Sequence, residues 1–215
     1  MTVEHVELLV EEPSMEAALR LLLSKILGDL SFEVYAHQCK DELLLRLPER
    51  LRGYGRRCKS DAWFRDNCRI VVVVDRDDDS CVRLKQRLEK VAKEAGLLTR
   101  TAAKGKSSYV VANRLAIEEL EAWYFGDWHA VCAAYPKVSA TVPSKASYRN
   151  PDDIAGGTWE AFERVLQRTG YFTGGLRKVE AARAVAAHME PSRNTSQSFC
   201  TFRDALTKRH PKFDD

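Results

Sequence analysis

The chain has 215 residues, with 34 lysines and arginines against 31 aspartates and glutamates, giving a formal charge of +3. That length suits one domain, or one core with a smaller appendage, and the near-neutral balance excludes a protein held to nucleic acid by bulk charge alone. With 45% hydrophobic and 30% charged residues the chain can bury a real core, yet its longest apolar run, Ile70 to Val74, is far too short to cross a bilayer.

In chain order, His5–Val10 reads as a strand running into Glu11-Glu12-Pro13-Ser14, and Met15–Leu27 carries apolar residues at helical spacing. Phe32–His37 alternates as a second strand, and Asp41–Arg52 is helical with a broad leucine face. Arg69–Val74 is β-branched and uniformly apolar, the pattern of a parallel strand buried on both faces. It stops at Asp75-Arg76-Asp77-Asp78-Asp79. Val82–Ala95 then reads as a helix closed by Gly96, Leu97–Thr101 as a strand, and Tyr109–Ile117 as another strand leading into Glu118–Phe125. After Gly126 the strand signal fades, and Trp128–Ala134, Thr158–Arg168, Leu176–Met189 and Ser198–Arg209 read as helices. The expectation is an α/β fold with a mostly parallel sheet over residues 1–127 and a helical subdomain over 128–215.

The first five residues, Met-Thr-Val-Glu-His, are polar and acidic rather than cationic, so a cytoplasmic protein with no membrane partner is expected. The six cysteines, at 39, 58, 68, 81, 132 and 200, form no Cys-x-x-Cys pair. A structural zinc site draws on tight local ligand pairs, so free, mostly buried thiols are expected instead. The five histidines are scattered and read as structural or exposed.

Functional groups in open α/β sheets gather beyond the carboxyl ends of the strands. Two such ends carry carboxylates here: Glu11 and Glu12 after the first strand, and the aspartates from Asp75 after the central one. For Asp78 and Asp79, a solvated loop favoured by the dipole of the next helix suffices. Asp75 and Asp77 directly follow five buried residues, and packed carboxylates at that place point to a hard divalent cation, Mg²⁺ or Mn²⁺.

Val10-Glu11-Glu12-Pro13-Ser14-Met15-Glu16 together with Val74-Asp75-Arg76-Asp77 resembles the Toprim domain of topoisomerases, primases and overcoming-lysogenization-defect nucleases. Glu12 stands where that pattern usually has glycine. With the segment Ala116–Asp127 (Ala-Ile-Glu-Glu-Leu-Glu-Ala-Trp-Tyr-Phe-Gly-Asp), the likeness narrows to small bacterial Toprim-like proteins. These include the nuclease subunit of a phage-defence system restrained by an ABC-type ATPase. The resemblance covers residues 1–127 and implies a Toprim/Rossmann-like fold and Mg²⁺-dependent hydrolysis of phosphodiester bonds in RNA, such as tRNA, or in DNA. It implies Asp75 and Asp77 as metal ligands and Glu11 as ligand or general acid/base. Glu121, with Glu119 next, would contribute to a second metal, although glutamates in a first helical turn also satisfy the helix dipole unaided. An ATPase partner and homo-oligomerisation follow from the same analogy.

A nuclease also needs cations against phosphate. Lys104 and Lys106, flanking Gly105, are the local candidates, with Lys104 the first choice for a transition-state contact and a plain basic turn as the alternative. Arg46–Arg69 holds eight basic residues against three acids, with Tyr54, Trp63 and Phe64 interleaved, so Arg52, Arg56, Arg57 and Lys59 are candidate nucleic-acid contacts. The rival expectations are a non-catalytic binding subunit whose Toprim site is degenerate at Glu12, and a dehalogenase-type phosphatase with Asp75 as nucleophile.

Overall fold

The computed structural model describes residues 3–77, 79–104, 109–117 and 119–207. Strands β1 (His5–Val10), β2 (Ser31–Ala36), β3 (Cys68–Asp75) and β4 (Val111–Ala116) form one all-parallel sheet in the order β2-β1-β3-β4. Nine α-helices are found among the described residues: α1 (Pro13–Leu27), α2 (Lys40–Ser60), α3 (Ala62–Asn67), α4 (Cys81–Glu94), α5 (Glu121–Gly126), α6 (Trp128–Ala134), α7 (Thr158–Gln167), α8 (Lys178–His188) and α9 (Gln197–Thr207). This is a Rossmann/Toprim-like α/β arrangement. No described helix is long and apolar enough to cross a membrane.

Period-two alternation in β3 divides the interior. Val71 and Val73 face the layer of α1, while Ile70, Val72 and Val74 face that of α2 and α4. Every residue of β3 is buried, as its unbroken apolar run requires. The C-terminal helices share the first of these cores, since Phe162, Val185, Phe199 and Phe202 pack in the same cluster as Val10 and Leu19. Trp123 of α5 meets the rings of Phe199 and Phe202 at 5.2 and 5.1 Å.

Helices α1 and α8 lie side by side and run in the same direction. Near their starts Lys178 approaches Glu12, and at their far ends Lys25 Nζ donates to the carbonyls of Ala186, Ala187 and Met189 at 3.1, 2.8 and 2.7 Å. A lysine closing another helix's last turn satisfies carbonyls that have no intrahelical partner and complements their partial negative charge.

Two expectations need correction. Leu97–Thr101 is not a strand, because only Thr99 bridges to β4 there. Gly96, at φ +74°, closes α4 in a Schellman turn, with Gly96 N–H donating to the Lys93 carbonyl and Leu97 N–H to that of Ala92. Leu97 is buried as the apolar residue that follows such a cap. Helix α2 continues beyond Arg52 to Ser60 despite Gly53 and Gly55. Gly55 is where α2 crosses the end of α4, and a Cβ there would lie 2.2 Å from the Ala95 carbonyl oxygen.

Candidate acidic site at the carboxyl ends of the strands

The connection after β1 leads to β2 and that after β3 to β4, toward opposite edges of the sheet, so the gap between β1 and β3 is the topological switch point at which α/β folds place ligands. Glu11 directly follows β1 and Asp75 ends β3. The Asp75 backbone N–H donates to Glu11 Oε2 at 3.1 Å, tying the two strand ends together. A third carboxylate arrives after β4, where Glu121 opens α5 and is 2% exposed.

These groups are expensive to keep charged. Burial and the nearby charges of Asp77 and Glu12 push Glu11 up to about 7, against the pull of the Asp75 N–H and Lys40. Burial, then Glu119 and Glu12, raise Glu121 to about 7 against Lys178. Asp75 is raised well above the usual carboxylate range by burial, then by Glu11, Glu121, Glu12 and Asp77. Its Oδ1 is buried with no hydrogen-bond partner, and so is the hydroxyl oxygen of Tyr124, which feels the same acids. Buried polar atoms normally find partners, so two orphans in one acidic pocket mark a place built around something else.

Two lysines face this pole. Lys40 Nζ contacts Asp77 Oδ2 at 3.0 Å, Asp79 Oδ2 at 2.7 Å and the Arg76 carbonyl at 3.0 Å. Burial alone would lower its pKa, but the bonds to Asp79 and Asp77 hold it above the ordinary value. Lys178 Nζ lies 3.8 Å from Glu12 Oε2 and 5.4 Å from the Trp159 ring centroid. Burial lowers it too, outweighed by Glu121, Glu12, Glu119 and Asp75. Each lysine opens its helix, against the macrodipole. The acids opposite, not helix stability, account for both positions.

The structure thus gathers Glu11, Asp75 and Glu121, and adds Glu12, whose Oε1 accepts from the Ser14 hydroxyl. Asp77 sits beside them at φ +47° but turns its carboxylate onto Lys40. Glu119 is an anchor: its Oε2 accepts from Thr158 Oγ1 at 3.0 Å and from Trp159 N–H at 2.8 Å, capping α7. Lys104 is exposed at φ +47°, and it is not among the leading charges acting on Glu11, Asp75 or Glu121. Lys106, Asp78 and Glu118 lie outside the described residues.

Arg52, Arg56, Arg57 and Lys59 are exposed on the last turns of α2, which begins at the acidic pole and runs away from it. A rise of about 1.5 Å per residue puts Arg57 roughly 25 Å from Lys40. There its guanidinium covers the Phe64 ring at 4.0 Å. Tyr54 and Phe64 are core residues stacked at 5.9 Å, whereas Trp63 is exposed. Sequence reasoning missed Lys40, Lys178 and Tyr124. The one available signal was a lysine where a helix begins, and for Lys178 nothing local points to Glu12.

An all-oxygen donor set around an unpartnered carboxylate oxygen suits a hard divalent cation. Asp75 is the central ligand candidate, with Glu11 and Glu121 beside it. The convergence is looser than in a preformed cage: among the described residues, the trio whose ligand atoms all lie within 4.8 Å of one another is His5, Glu7 and Cys68, at the opposite end of the sheet.

The family model described as "Domain of unknown function (DUF4276)" matches residues 10–207. No curated protein and no solved structure matches the chain.

Proposed function

The chain therefore belongs to the DUF4276 family, whose description carries no activity, and we propose that its acidic site is that of a Mg²⁺- or Mn²⁺-dependent nuclease cleaving RNA or DNA. The observation that carries this reading is Glu11 bonded to the Asp75 N–H at the ends of β1 and β3, with the charge of Glu121 acting on Asp75 and a buried Asp75 oxygen left without a partner. Asp75 would hold the cation, flanked by Glu11 and Glu121. Bound there, the cation supplies Lewis acidity toward a phosphate oxygen.

The chain's own groups supply the rest. Glu11 Oε2 is engaged by the Asp75 N–H, so Oε1 is the oxygen that takes a proton from the attacking water and returns it to the leaving oxygen. Lys178 and Lys40 place two ammonium groups at the same pole, where they neutralise phosphate oxygens as charge develops. On the Toprim resemblance alone, tRNA as a substrate, an ABC-type ATPase partner, a homo-oligomer and a role in phage defence belong to the same proposal.

The test incubates the full chain with end-labelled tRNA, single-stranded RNA and DNA, and duplex DNA, with Mg²⁺, Mn²⁺ or chelator. Asp75→Asn and Glu11→Gln variants run alongside, with folding checked by circular dichroism. Metal-dependent cleavage abolished by both substitutions supports the reading. Cleavage that survives Asp75→Asn, or absence of both cleavage and calorimetric Mn²⁺ binding, overturns it.

A further inference from the structure

A second cluster of ligating side chains stands at the other end of the sheet. β1 and β3 pair in a register that sets His5 opposite Cys68, and Glu7 follows His5 on the same face of β1. One ligand atom from each of the three lies within 4.8 Å of the others. Cys68 is fully buried and Glu7 is 5% exposed, while His5 is half-buried and opens the cluster to solvent.

The surrounding hydrogen bonds fix how each group is presented. Ser31 Oγ donates to the Glu4 carbonyl at 3.0 Å, so its contact with His5 Nδ1 at 2.8 Å is one in which Nδ1–H donates and the serine oxygen accepts. The lone pair of neutral His5 is thereby placed on Nε2, which faces Glu7 Oε1 at 4.0 Å. The Tyr54 hydroxyl donates to Glu7 Oε2, leaving Oε1 turned toward the histidine and, at 3.9 Å, toward the exposed guanidinium of Arg57. A histidine whose second nitrogen is held by an outer hydrogen bond, and a carboxylate oriented by a phenol, are the supports that metal-ligating side chains use. Nε2 and Oε1, 4.0 Å apart, are too distant to hydrogen-bond to each other, so a lone pair on each stays open to a shared cation.

We propose that His5 Nε2, Glu7 Oε1 and Cys68 Sγ bind one zinc ion, with water as the fourth ligand. Imidazole, carboxylate and thiolate together suit this borderline-soft ion, in contrast to the hard-oxygen set at the other pole. Bonds of about 2.0–2.3 Å in a tetrahedron place ligand atoms roughly 3.4–3.6 Å apart, within reach of side-chain rotation from the distances present. On coordination Cys68 gives its thiol proton to solvent, and the thiolate and carboxylate charges neutralise the ion. The ion would pin the start of β1 to the start of β3, and its open position leaves room for an exogenous ligand.

The test titrates the chelator-treated full chain with Co²⁺ as a spectroscopic stand-in for zinc. One equivalent is expected to produce a thiolate-to-cobalt charge-transfer band that zinc abolishes by competition. Cys68→Ser removes the band and His5→Ala weakens binding strongly. Ser31→Ala, an outer-support change, weakens it about tenfold. Asp75→Asn leaves it unchanged. Absence of the band in the folded wild-type chain overturns the proposal. So does a band that survives Cys68→Ser and vanishes in Cys58→Ser, or a His5 that can be removed without loss of affinity.

Discussion

Lys178 at the start of α8 lies 3.8 Å from Glu12, at the N-cap of α1 just beyond β1, so a cation from the C-terminal helices joins the acidic pole of the sheet. This contact makes the helical part a component of the site rather than an appendage to it. Two signs of charge meet there, and their balance is open to measurement.

Replacing Lys178 with Met removes a cation that offsets Glu121, Glu12, Glu119 and Asp75. Because the Lys178 side chain is 37% exposed and its charge is screened by solvent, the loss costs about 0.5–1 kcal/mol at pH 8. Urea denaturation should give that loss in the wild-type background and a clearly smaller one in an Asp75→Asn background, because the residues are coupled. Equal losses in both would show that Lys178 acts through packing alone.

Asp75→Asn should stabilise the metal-free protein at alkaline pH, since it removes a buried charge among like charges without changing shape. It should also abolish any rise in melting temperature caused by Mn²⁺. Thermal denaturation with and without Mn²⁺ reads both effects. A destabilised Asp75→Asn protein would mark the carboxylate as a structural group.

The acidic site predicts an unusual pH dependence. Glu11 and Glu121 are both raised from 4.5 to about 7 in the folded chain, so the folded state binds more protons than the unfolded one over that interval. Their favourable contribution is complete below about pH 4.5 and lost as pH rises through about 7. The stability of the metal-free protein, read by equilibrium unfolding, should therefore fall as pH rises across that window. Glu11→Gln and Glu121→Gln should each flatten the slope, and an unchanged slope in both would refute the assignment.

Asp127 has a purely structural part. Its buried carboxylate accepts from Arg193 Nε at 2.7 Å, Arg193 Nη2 at 3.0 Å and the Glu190 N–H at 2.8 Å, binding the α5–α6 junction to the turn after α8. Asp127→Ala should cost about 1–2 kcal/mol, because it removes a buried acceptor that takes three hydrogen bonds, while the exposed Arg193 can be solvated again. Chemical denaturation measures the loss, and a change below about 0.5 kcal/mol would contradict this account.

The strands that position the site were largely legible. The Ile70–Val74 run allowed little besides a buried strand, and the aspartates after it stood at the strand end where carboxylates would matter. What misled was local pattern standing in for partners. Leu97 and Leu98 resemble the start of a strand, but Leu97 is the apolar cap of α4. Glu119 stands in the sequence as a candidate metal ligand, and the bonds of its Oε2 to Thr158 and Trp159 show no sign in the local pattern. The basic run of α2 could be counted in the sequence, but only the direction of the helix puts Arg57 at the pole opposite the acids.

The amino-acid order by itself determined the strands, most of the helices and which carboxylates leave the ends of β1 and β3, because these depend on periodicity and on neighbours a few positions away. Only the tertiary structure decided that Glu121, Lys178 and Tyr124 come near Asp75, that Lys40 closes on Asp77 and Asp79, and that His5 and Glu7 lie against Cys68. No Cys-x-x-Cys spacing announced that second cluster, since its pairing comes from the register of two strands with α1, β2, α2 and α3 between them in the chain. Charge and ligand chemistry act through space over a few ångströms, and parallel β crossovers are what bring residues so distant in sequence within that range.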